Sequence, residues 1–514
     1  MSRPSRRQRV AVSSAAGAVA IAAVVVVLIL TSSLSRPLPS RAVAGLPKSA
    51  QLLVLGPPAP VPPIRPGFLG LSFEYSSIGP YAGTDASAID PVFLRLIRNL
   101  TPGQTPLIRI GGRTTDAAWW PVAGIREPAG VRVTLTPQWL AVTRALARDL
   151  NARLILGVNM EADSQAVAAA EAHAFLSGIG RRYIEALEPG NEPELYRTFT
   201  FYVAPDGSRV YGRPRDYNVP GIARDFTRIE RALHGPIAGP TIGAPKWFAQ
   251  LGTFLADGPH VNLITLHRYP LQLCFSNPRQ SNYPTIPHLL DSQSTFGRAD
   301  SVIPEVALAH ARGLLLRIDE MNTISCGWDP QIGFSFATAL WAVNALFAMA
   351  DVGVDGVNIH SYPTSSCALY SFTHVSGTWR ARVEPEYYGL LMFAQAAPPG
   401  SRILRLSGPA TSAVRAWATR APDGRTRVVL INDSPTRAAT IAVRASGQPT
   451  NPAALERLQA PSLSSNQNVT LGGQSLGSST TTGRLSPHTT SIRSTRGDYV
   501  VVVHPASAVL LTLS

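Results

Sequence analysis

The sequence predicts an α/β protein made of a (β/α)8 barrel followed by an all-β sandwich. From about residue 64 to 396, short β-branched apolar runs alternate with longer amphipathic stretches, which is the pattern of repeated β-α units. After Pro398-Pro399-Gly400 the chain changes to alternating apolar and polar residues. Of the 514 residues, 45% are apolar and only 15% charged, so the chain can bury a large core.

The first part contains eight strand-like runs, separated by helix-like segments. The runs are 67–73, 106–111, 152–158, 183–187, 241–244, 261–266, 314–318 and 356–359. The helical segments include 137–150, 164–178, 221–233, 301–311 and 334–350, whose apolar residues recur at three-to-four spacing. Eight units suit a closed barrel. An open doubly wound sheet is the alternative, but no GxGxxG motif follows the first run, so its usual nucleotide chemistry has no support.

We assign 64–396 to the barrel and 397–514 to the sandwich. Strand-like runs of the sandwich are 413–419, 427–432, 440–444 and the closing VVVVHPASAVLLTLS, while 452–458 could be a helix. In 45–63, the run 51–54 could add a strand to the sandwich across the start of the barrel. Two polar segments are expected to be loops: 271–300 over one face of the barrel, and 472–484 as a mobile surface loop.

Residues 1–44 predict a signal peptide or a membrane anchor. Four arginines precede an uninterrupted apolar stretch from Ala15 to Leu30, which is long for a signal-peptide core and slightly short for a spanning helix. The small residues of 42–44 offer a cleavage site, so secretion and anchoring both stay open. Either one predicts that the body is extracytoplasmic, because the arginines keep their end inside.

The composition excludes some classes of function. Six arginines among residues 1–44, with no acid, account for six of the formal charge of +14, so the rest of the chain carries +8 without a dense basic run. Nucleic-acid binding is therefore not predicted. The three cysteines, Cys274, Cys326 and Cys367, form no CxxC pair, which argues against structural zinc. Outside the cytoplasm two of the three could pair, and the sequence does not say which two.

Acidic residues follow two of the predicted strands. Glu192 follows the fourth and Glu320 the seventh, and their separation of 128 residues equals three β-α units, which places both carboxylates on the rim where barrel enzymes act. Cleavage of a glycosidic bond uses such a pair, one carboxylic acid to protonate the leaving oxygen and one carboxylate to attack. This chemistry requires no metal or organic cofactor. Asn191 could donate to a sugar 2-hydroxyl, and Pro193 restricts the backbone after the acid.

These motifs resemble glycoside hydrolase family 79, the β-glucuronidases and heparanase, within the retaining clan that carries its two acids on strands four and seven. The resemblance spans roughly residues 50–514. It rests on GNEPE at 190–194, DEMNTISCG at 319–327, IRIGG at 108–112, LHRYP at 266–270, GVNIH at 356–360, PEYYGLL at 385–391, GGQS at 472–475 and PASA at 505–508.

The resemblance implies that Glu192 is the general acid/base and Glu320 the nucleophile of a retaining mechanism. Tyr269 matches the aromatic residue that bonds the nucleophile in such clans, although its ring could instead pack under 271–300. His267 could act at the site or be a satisfied rim histidine. Asn191 remains a candidate for sugar binding.

Glucuronide selectivity requires donors aimed at a sugar carboxylate. By resemblance these are the backbone amides around Cys326 and Gly327 and the hydroxyl of Tyr370. Glu74 is a candidate for binding sugar hydroxyls, and its alternative is a plain loop acid. Asp116 could do the same, or it could pair with Arg109 or Arg113 beneath the rim.

Three residues depart from the family pattern: Arg113, Met321 and Trp328, which are expected to flank the sugar site.

The main hypothesis is an exo-acting β-glucuronidase with a glucuronide or an acidic glycan as its carbohydrate substrate. The alternatives are endo-cleavage of an acidic polysaccharide and a non-catalytic carbohydrate-binding protein of the cell envelope.

Overall fold

A computed structural model describes residues 49–408, 414–445 and 451–514. Eight parallel strands form one sheet: Leu69–Glu74, Leu107–Gly111, Arg153–Val158, Ile184–Pro189, Ala238–Ile242, Leu263–His267, Leu315–Met321 and Gly356–Ser361. Consecutive strands pair from the first to the fourth and from the fifth to the eighth, and the eighth strand pairs with the first. Between strands four and five, a parallel bridge of Leu187 with Ile237 closes the ring. The predicted barrel is therefore confirmed.

The barrel strands are buried on both sides, because side chains fill the interior and helices cover the outside. All six residues of the first and of the eighth strand are buried. The fifth strand begins three residues earlier than the predicted run 241–244. Gly239 and Pro240 look like a chain break in sequence, but both pair with the sixth strand.

Helices follow the strands, close to the predicted segments. They are Ile78–Ala82, Pro91–Leu100, Pro137–Leu150, Gln165–Ala174, Val219–Glu230, Pro245–Phe248, Leu251–Ala256, Ile286–Leu290, Phe296–Asp300, Ile303–His310, Pro330–Gly333, Ala337–Asp351 and Pro385–Ala396. Hydrogen bonds and backbone conformation at the flanking residues explain where these helices begin and end. The side chain of Thr136 accepts a hydrogen bond from the Trp139 amide at the start of Pro137–Leu150, and Asn151 ends that helix in a left-handed conformation.

Segment 271–300 is not only a loop, which corrects the prediction. It contains the two short helices Ile286–Leu290 and Phe296–Asp300. Leu289 is fully buried, and the ring of Phe296 stacks on Trp417 of the sandwich. A few apolar residues at helical spacing therefore anchor a segment whose average composition is polar.

The remaining large sheet is the β-sandwich. Its strands are Ala50–Pro58, Arg402–Ser407, Val414–Arg420, Thr426–Asn432, Ala439–Arg444, Ala453–Gln459, Thr470–Leu471, Thr490–Ile492, Asp498–Val503 and Ser507–Leu513. Strand Ala50–Pro58 lies between Arg402–Ser407, which is antiparallel to it, and Ala439–Arg444, which is parallel. The N-terminal strand thus joins the sandwich ahead of the barrel.

Two expectations in this half need correction. The possible helix at 452–458 is the strand Ala453–Gln459, whose Leu455 pairs with Leu511 of the last strand. Segment 472–484 is fastened to the barrel: Thr480 and Ala381 exchange two backbone hydrogen bonds of 2.8 Å. The side chain of Asn99 donates to the carbonyl of Gly483 at 2.8 Å.

The predicted export segment, residues 1–44, lies outside the described residues. Within 49–408, 414–445 and 451–514, no helix is both long and apolar enough to cross a membrane.

Candidate active site

The two predicted carboxylates lie on the same rim of the barrel, after strands four and seven. Glu320 is the sixth residue of strand seven, and Glu192 follows strand four in a left-handed conformation with a φ of 47°. Few residues other than glycine adopt this conformation, and it is concentrated at functional sites. The Glu192 amide donates to the carbonyl of Thr241 at 3.1 Å, and Pro193 begins the next turn. These contacts hold the backbone of the acid.

His267 joins the two acids. Its Nδ1 lies 3.1 Å from Oε1 of Glu192 and 3.9 Å from Oε2 of Glu320, and the ring is fully buried. These two oxygens can be no farther apart than the sum of those distances. An oxygen pair within that limit is compatible with the carboxyl separation of about 5–5.5 Å that is typical of retaining glycosidases.

Glu320 is held as a carboxylate. Nη1 of Arg109 lies 2.6 Å from its Oε2, and the hydroxyl of Tyr269 donates to its Oε1 at 2.9 Å. Burial by itself would raise the pKa of Glu320. The charges of His360, His267 and Arg109, together with the Tyr269 hydrogen bond, outweigh burial and hold that pKa well below its usual range. Glu320 is therefore ionised at neutral pH.

Arg109 is the hub of this site, a role that the sequence interpretation missed. Its side chain is fully buried, and its Nε lies 2.6 Å from Glu188 and 3.1 Å from Asp319. Burial and the nearby Glu188 charge raise the pKa of Asp319 well above its usual value. The signal was present in the sequence, because acids inside strands four and seven of a buried barrel require a buried cation.

The contact of Asn191 with Arg109 orients its side-chain amide. Nη2 of Arg109 donates to Oδ1 of Asn191 at 2.8 Å. Because a guanidinium only donates, the amide oxygen must face it and the NH2 group must point the other way. The orientation leaves a donor on the same loop as Glu192.

Asp116 and Glu74 bind the protein's own backbone. Asp116 accepts from the amides of Met160, Glu161 and Asn191 at 2.9–3.1 Å and from the Tyr196 hydroxyl at 2.7 Å. In the described part of the chain it forms no ion pair with Arg109 or Arg113, which corrects that alternative.

Glu74 closes the turn after strand two. It accepts from the amides of Arg113 and Thr114 at 3.1 and 2.8 Å and from the Thr114 hydroxyl. Its Oε1 also lies 3.5 Å from Nε2 of His360, and the residue is 7% exposed. Glu74 therefore positions the rim rather than standing free as a loop acid.

Tyr370, for which the resemblance implies binding of the sugar carboxylate, is enclosed by other aromatic rings. It is fully buried, and its ring packs edge-on against Tyr81 and Phe93. The aromatic residue that the prediction missed is Tyr362, which follows strand eight, is only partly buried and lies beside the His360 ring at 5.3 Å.

A disulfide joins Cys274 and Cys326, with their Cα atoms 5.9 Å apart, and Cys367 is buried and free. The disulfide links the loop after strand six to the loop after strand seven. Gly327 is exposed next to it, with a φ of 100°. The predicted backbone donors of Cys326 and Gly327 thus lie on a cross-linked segment beyond Glu320.

The three departures from the family pattern occupy different places. Met321 is 1% exposed and points into the core, so it does not flank a sugar site. Arg113 is exposed at the rim, and Trp328 is 53% exposed beyond the disulfide.

Two residues shape the surroundings of Glu192: Glu194 on the same loop, and Gly243 after strand five. Glu194 accepts from the amides of Gly243 and Ala244 at 2.7 and 2.8 Å. Burial and the charge of Glu192 raise the pKa of Glu194 to about 8. A Cβ at position 243 would lie 2.2 Å from Oε1 of Glu192. The glycine therefore leaves the space in which this carboxylate sits.

We expect Gly243→Ala to lower kcat by about 100-fold, because moving a catalytic group by roughly 1 Å costs that much. Steady-state kinetics on an aryl glycoside and a thermal melt check this. Gly252→Ala is the matched control, since the nearest atom to a Cβ there is 3.9 Å away. An unchanged kcat in Gly243→Ala would show that Glu192 has room to shift without loss.

Comparison with known proteins supports the predicted family. Residues 416–510 match the family model described as the glycosyl hydrolase family 79 C-terminal beta domain. A comparison with curated proteins finds no match.

Solved structures share the fold. A 4-O-α-L-rhamnosyl-β-D-glucuronidase from Fusarium oxysporum is 19% identical and covers 90% of this chain and 100% of its own, with a TM-score of 0.68. An arabinofuranosidase of family 51 from Xanthomonas axonopodis is 15% identical over the same shares, with a TM-score of 0.63. A family 51 α-L-arabinofuranosidase from Thermotoga petrophila is 14% identical over the same shares, also with a TM-score of 0.63. These likenesses show a common arrangement of barrel and β domain.

Proposed function

We propose that the barrel is a retaining β-glucuronidase of glycoside hydrolase family 79, with Glu320 as nucleophile and Glu192 as acid/base. The match of residues 416–510 to the C-terminal domain of that family supports the proposal. The observation that carries the proposal is the position of His267 Nδ1 against both carboxylates. It supports a pair close enough for double displacement.

In the first step, a carboxylate oxygen of Glu320 attacks the anomeric carbon while Glu192 gives its proton to the glycosidic oxygen. The bond to the leaving group breaks, the aglycone leaves as an alcohol, and the sugar is esterified to Glu320. Arg109 and Tyr269 hold Glu320 ionised and in place for this attack.

In the second step, Glu192 removes a proton from water, and the oxygen of that water attacks the anomeric carbon. The ester to Glu320 breaks, which restores both carboxyl groups and releases the sugar with its original configuration. Asn191, with its NH2 group turned away from Arg109, is placed to donate to a sugar hydroxyl near the acid.

The choice of a glucuronide rests on the family and on the similar fold of a rhamnosyl-glucuronidase. With Tyr370 buried, the donors proposed for the sugar carboxylate are the backbone amides at Cys326 and Gly327.

The first test is the release of phenol from aryl β-glucuronide, β-glucoside, β-xyloside and α-L-arabinofuranoside by the purified protein and by Glu320→Gln. We expect preferential release from the glucuronide, absent in the variant, with β-glucuronic acid as the first anomer seen by NMR. Release from a neutral glycoside alone would contradict the assignment of a glucuronide as the substrate. If the α-anomer is released first, the reaction inverts the configuration, which would contradict the role of Glu320 as nucleophile.

If no aryl glycoside is cleaved, acidic polysaccharide decides between the alternatives. Shortening of the polymer indicates an endo-acting hydrolase of the heparanase kind. Binding without cleavage indicates a non-catalytic carbohydrate-binding protein.

The Tyr269 hydroxyl lowers the pKa of Glu320, so Tyr269→Phe raises it. Because Glu320 must be ionised to attack, the acidic limb of the kcat/KM profile moves to higher pH. We also expect kcat to fall by about tenfold, the effect of one hydrogen bond to a charged group. Tyr362→Phe is the control, since it removes a hydroxyl at the same rim that is not bonded to Glu320. An unmoved acidic limb in Tyr269→Phe would contradict the role of the hydroxyl.

A further inference from the structure

Three loops at the open end of the barrel bring one cation and two aromatic rings together. The guanidinium carbon of Arg113, after strand two, lies 5.9 Å from the centre of the Phe199 ring, after strand four. That ring packs edge-on against Phe275, after strand six, with centroids 5.6 Å apart. Phe275 is 58% exposed, although large apolar side chains are usually covered. We call these three residues the rim cluster.

The rim cluster is held by the structure beneath it. The Arg113 amide donates to Glu74, and the Phe199 amide donates to the Leu195 carbonyl at 2.9 Å. Phe275 directly follows Cys274, which is bonded to Cys326 on the next loop. An exposed ring beside a cross-link loses little conformational freedom when a ligand covers it.

The charge of Arg113 is available to a ligand. In the described part of the chain no carboxylate lies within ion-pair distance of its guanidinium. Glu161 interacts with it only through space: burial and the Asp116 charge raise the pKa of Glu161 to about 9 against the attraction of Arg213 and Arg113.

The rim cluster shares a loop with Glu192, on the side of the site where the leaving group is expected. Phe199 lies on the same loop as Glu192, seven residues later. Glu192, in the proposed function, protonates the oxygen of the leaving group, so the aglycone must lie on its side of the site. A pyranose ring stacks its C–H face on an aromatic side chain, and a guanidinium binds a carboxylate.

We propose that Arg113, Phe199 and Phe275 form an aglycone site that selects a uronic acid residue as the leaving group. This inference rests on the proposed function and names its substrate class, an acidic glycan with acidic sugars on both sides of the bond that is cleaved. It also gives Arg113, a departure from the family pattern, a specific role.

The test compares two disaccharides that carry the same non-reducing β-glucuronic acid and differ only in the aglycone, a second glucuronic acid or glucose. For the full chain we expect kcat/KM to favour the acidic aglycone by about tenfold, the effect of one charge-assisted contact, mainly through KM. Arg113→Gln brings the ratio to about one. Phe275→Ala raises KM for both disaccharides and leaves the kinetics on β-glucuronosyl fluoride unchanged, because that substrate releases fluoride and has no aglycone to contact the ring.

Arg425→Gln, on an exposed turn of the sandwich, and Val502→Ala, an exposed apolar residue of the same domain, are the matched controls. Equal ratios in the wild type and Arg113→Gln, or an equal loss of kcat on both disaccharides, would overturn the aglycone site while leaving the glucuronidase intact. If no glucuronide is cleaved, the proposed function fails by itself. Calorimetry with the acidic disaccharide then decides: binding weakened about tenfold by Arg113→Gln supports the site, and equal binding overturns it.

Discussion

Glu320→Gln is expected to lower kcat by about 10⁴-fold or more, because an amide cannot form the ester intermediate. The substitution keeps the shape of the side chain and an oxygen that can accept from Tyr269. Arg109 keeps its contacts with Glu188 and Asp319, so the barrel should remain folded. Single-turnover kinetics on an aryl glycoside, together with a thermal melt, checks both parts of the expectation.

The matched control is Glu185→Gln, which lies on barrel strand four and has 43% of its side chain exposed in a surface ion pair with Arg153. It should leave kcat unchanged. Substantial activity in purified Glu320→Gln would refute the nucleophile. So would an equal loss in Glu185→Gln, because the effect would then come from general damage to the barrel.

The partner variant, Glu192→Gln, separates the acid from the nucleophile. Losing a general acid costs about 10²–10⁴-fold when the leaving group needs a proton. With a dinitrophenyl leaving group, which departs without protonation, the first step should survive and only the second should slow. A burst of phenolate followed by a slow steady state is the expected signature. An equal loss with good and poor leaving groups would contradict the acid role of Glu192.

Arg109→Met is expected to lower the free energy of unfolding by about 3–5 kcal/mol, because it removes a buried cation that contacts three acids and leaves buried charge uncompensated. Activity should fall as well, since Arg109 holds Glu320 ionised. Urea unfolding at neutral pH measures the change. Arg153→Met is the control, because its ion pair with Glu185 is exposed and such pairs contribute about 0–1 kcal/mol.

The effect of Arg109 on stability should depend on pH. In the wild type the pKa of Glu320 is depressed, so its favourable contribution is present at neutral pH and is lost as the pH falls through the folded-state pKa. In Arg109→Met part of that depression is gone, and the carboxylates can take up protons. The deficit relative to the wild type should therefore be largest at neutral pH and shrink in acid. A deficit that stays constant with pH would show that packing, and not charge, is what the arginine supplies.

Local patterns in the sequence predicted much of the fold. The helix Pro137–Leu150 has the predicted bounds, because its start and its end are both set by adjacent residues of the sequence, Thr136 and Asn151. The prediction failed where pairing across the chain decided the outcome. Residues 453–459 contain helix-forming residues, yet the edge of Ser507–Leu513, far away in sequence, makes them a strand.

The candidate site divides in the same way. Spacing between strands placed Glu192 and Glu320 on one rim, since the period of the β-α unit is a property of the chain. It did not reveal that Tyr370 is buried among aromatic rings, that Glu74 and Asp116 bind backbone amides, or that Arg109 of strand two joins the acids of strands four and seven. Side-chain direction depends on neighbours from several strands at once, which no local window contains.

By itself, therefore, the sequence determined the barrel, the sandwich, the family resemblance and the two carboxylates, because each depends on local periodicity or on motifs with fixed spacing. Only the tertiary structure decided that Cys274 pairs with Cys326, that Gly243 leaves space for Glu192, and that Arg113 meets two aromatic rings at the rim. Those arrangements require distant segments to meet, and the distance between segments in the folded chain is set by packing of the whole barrel.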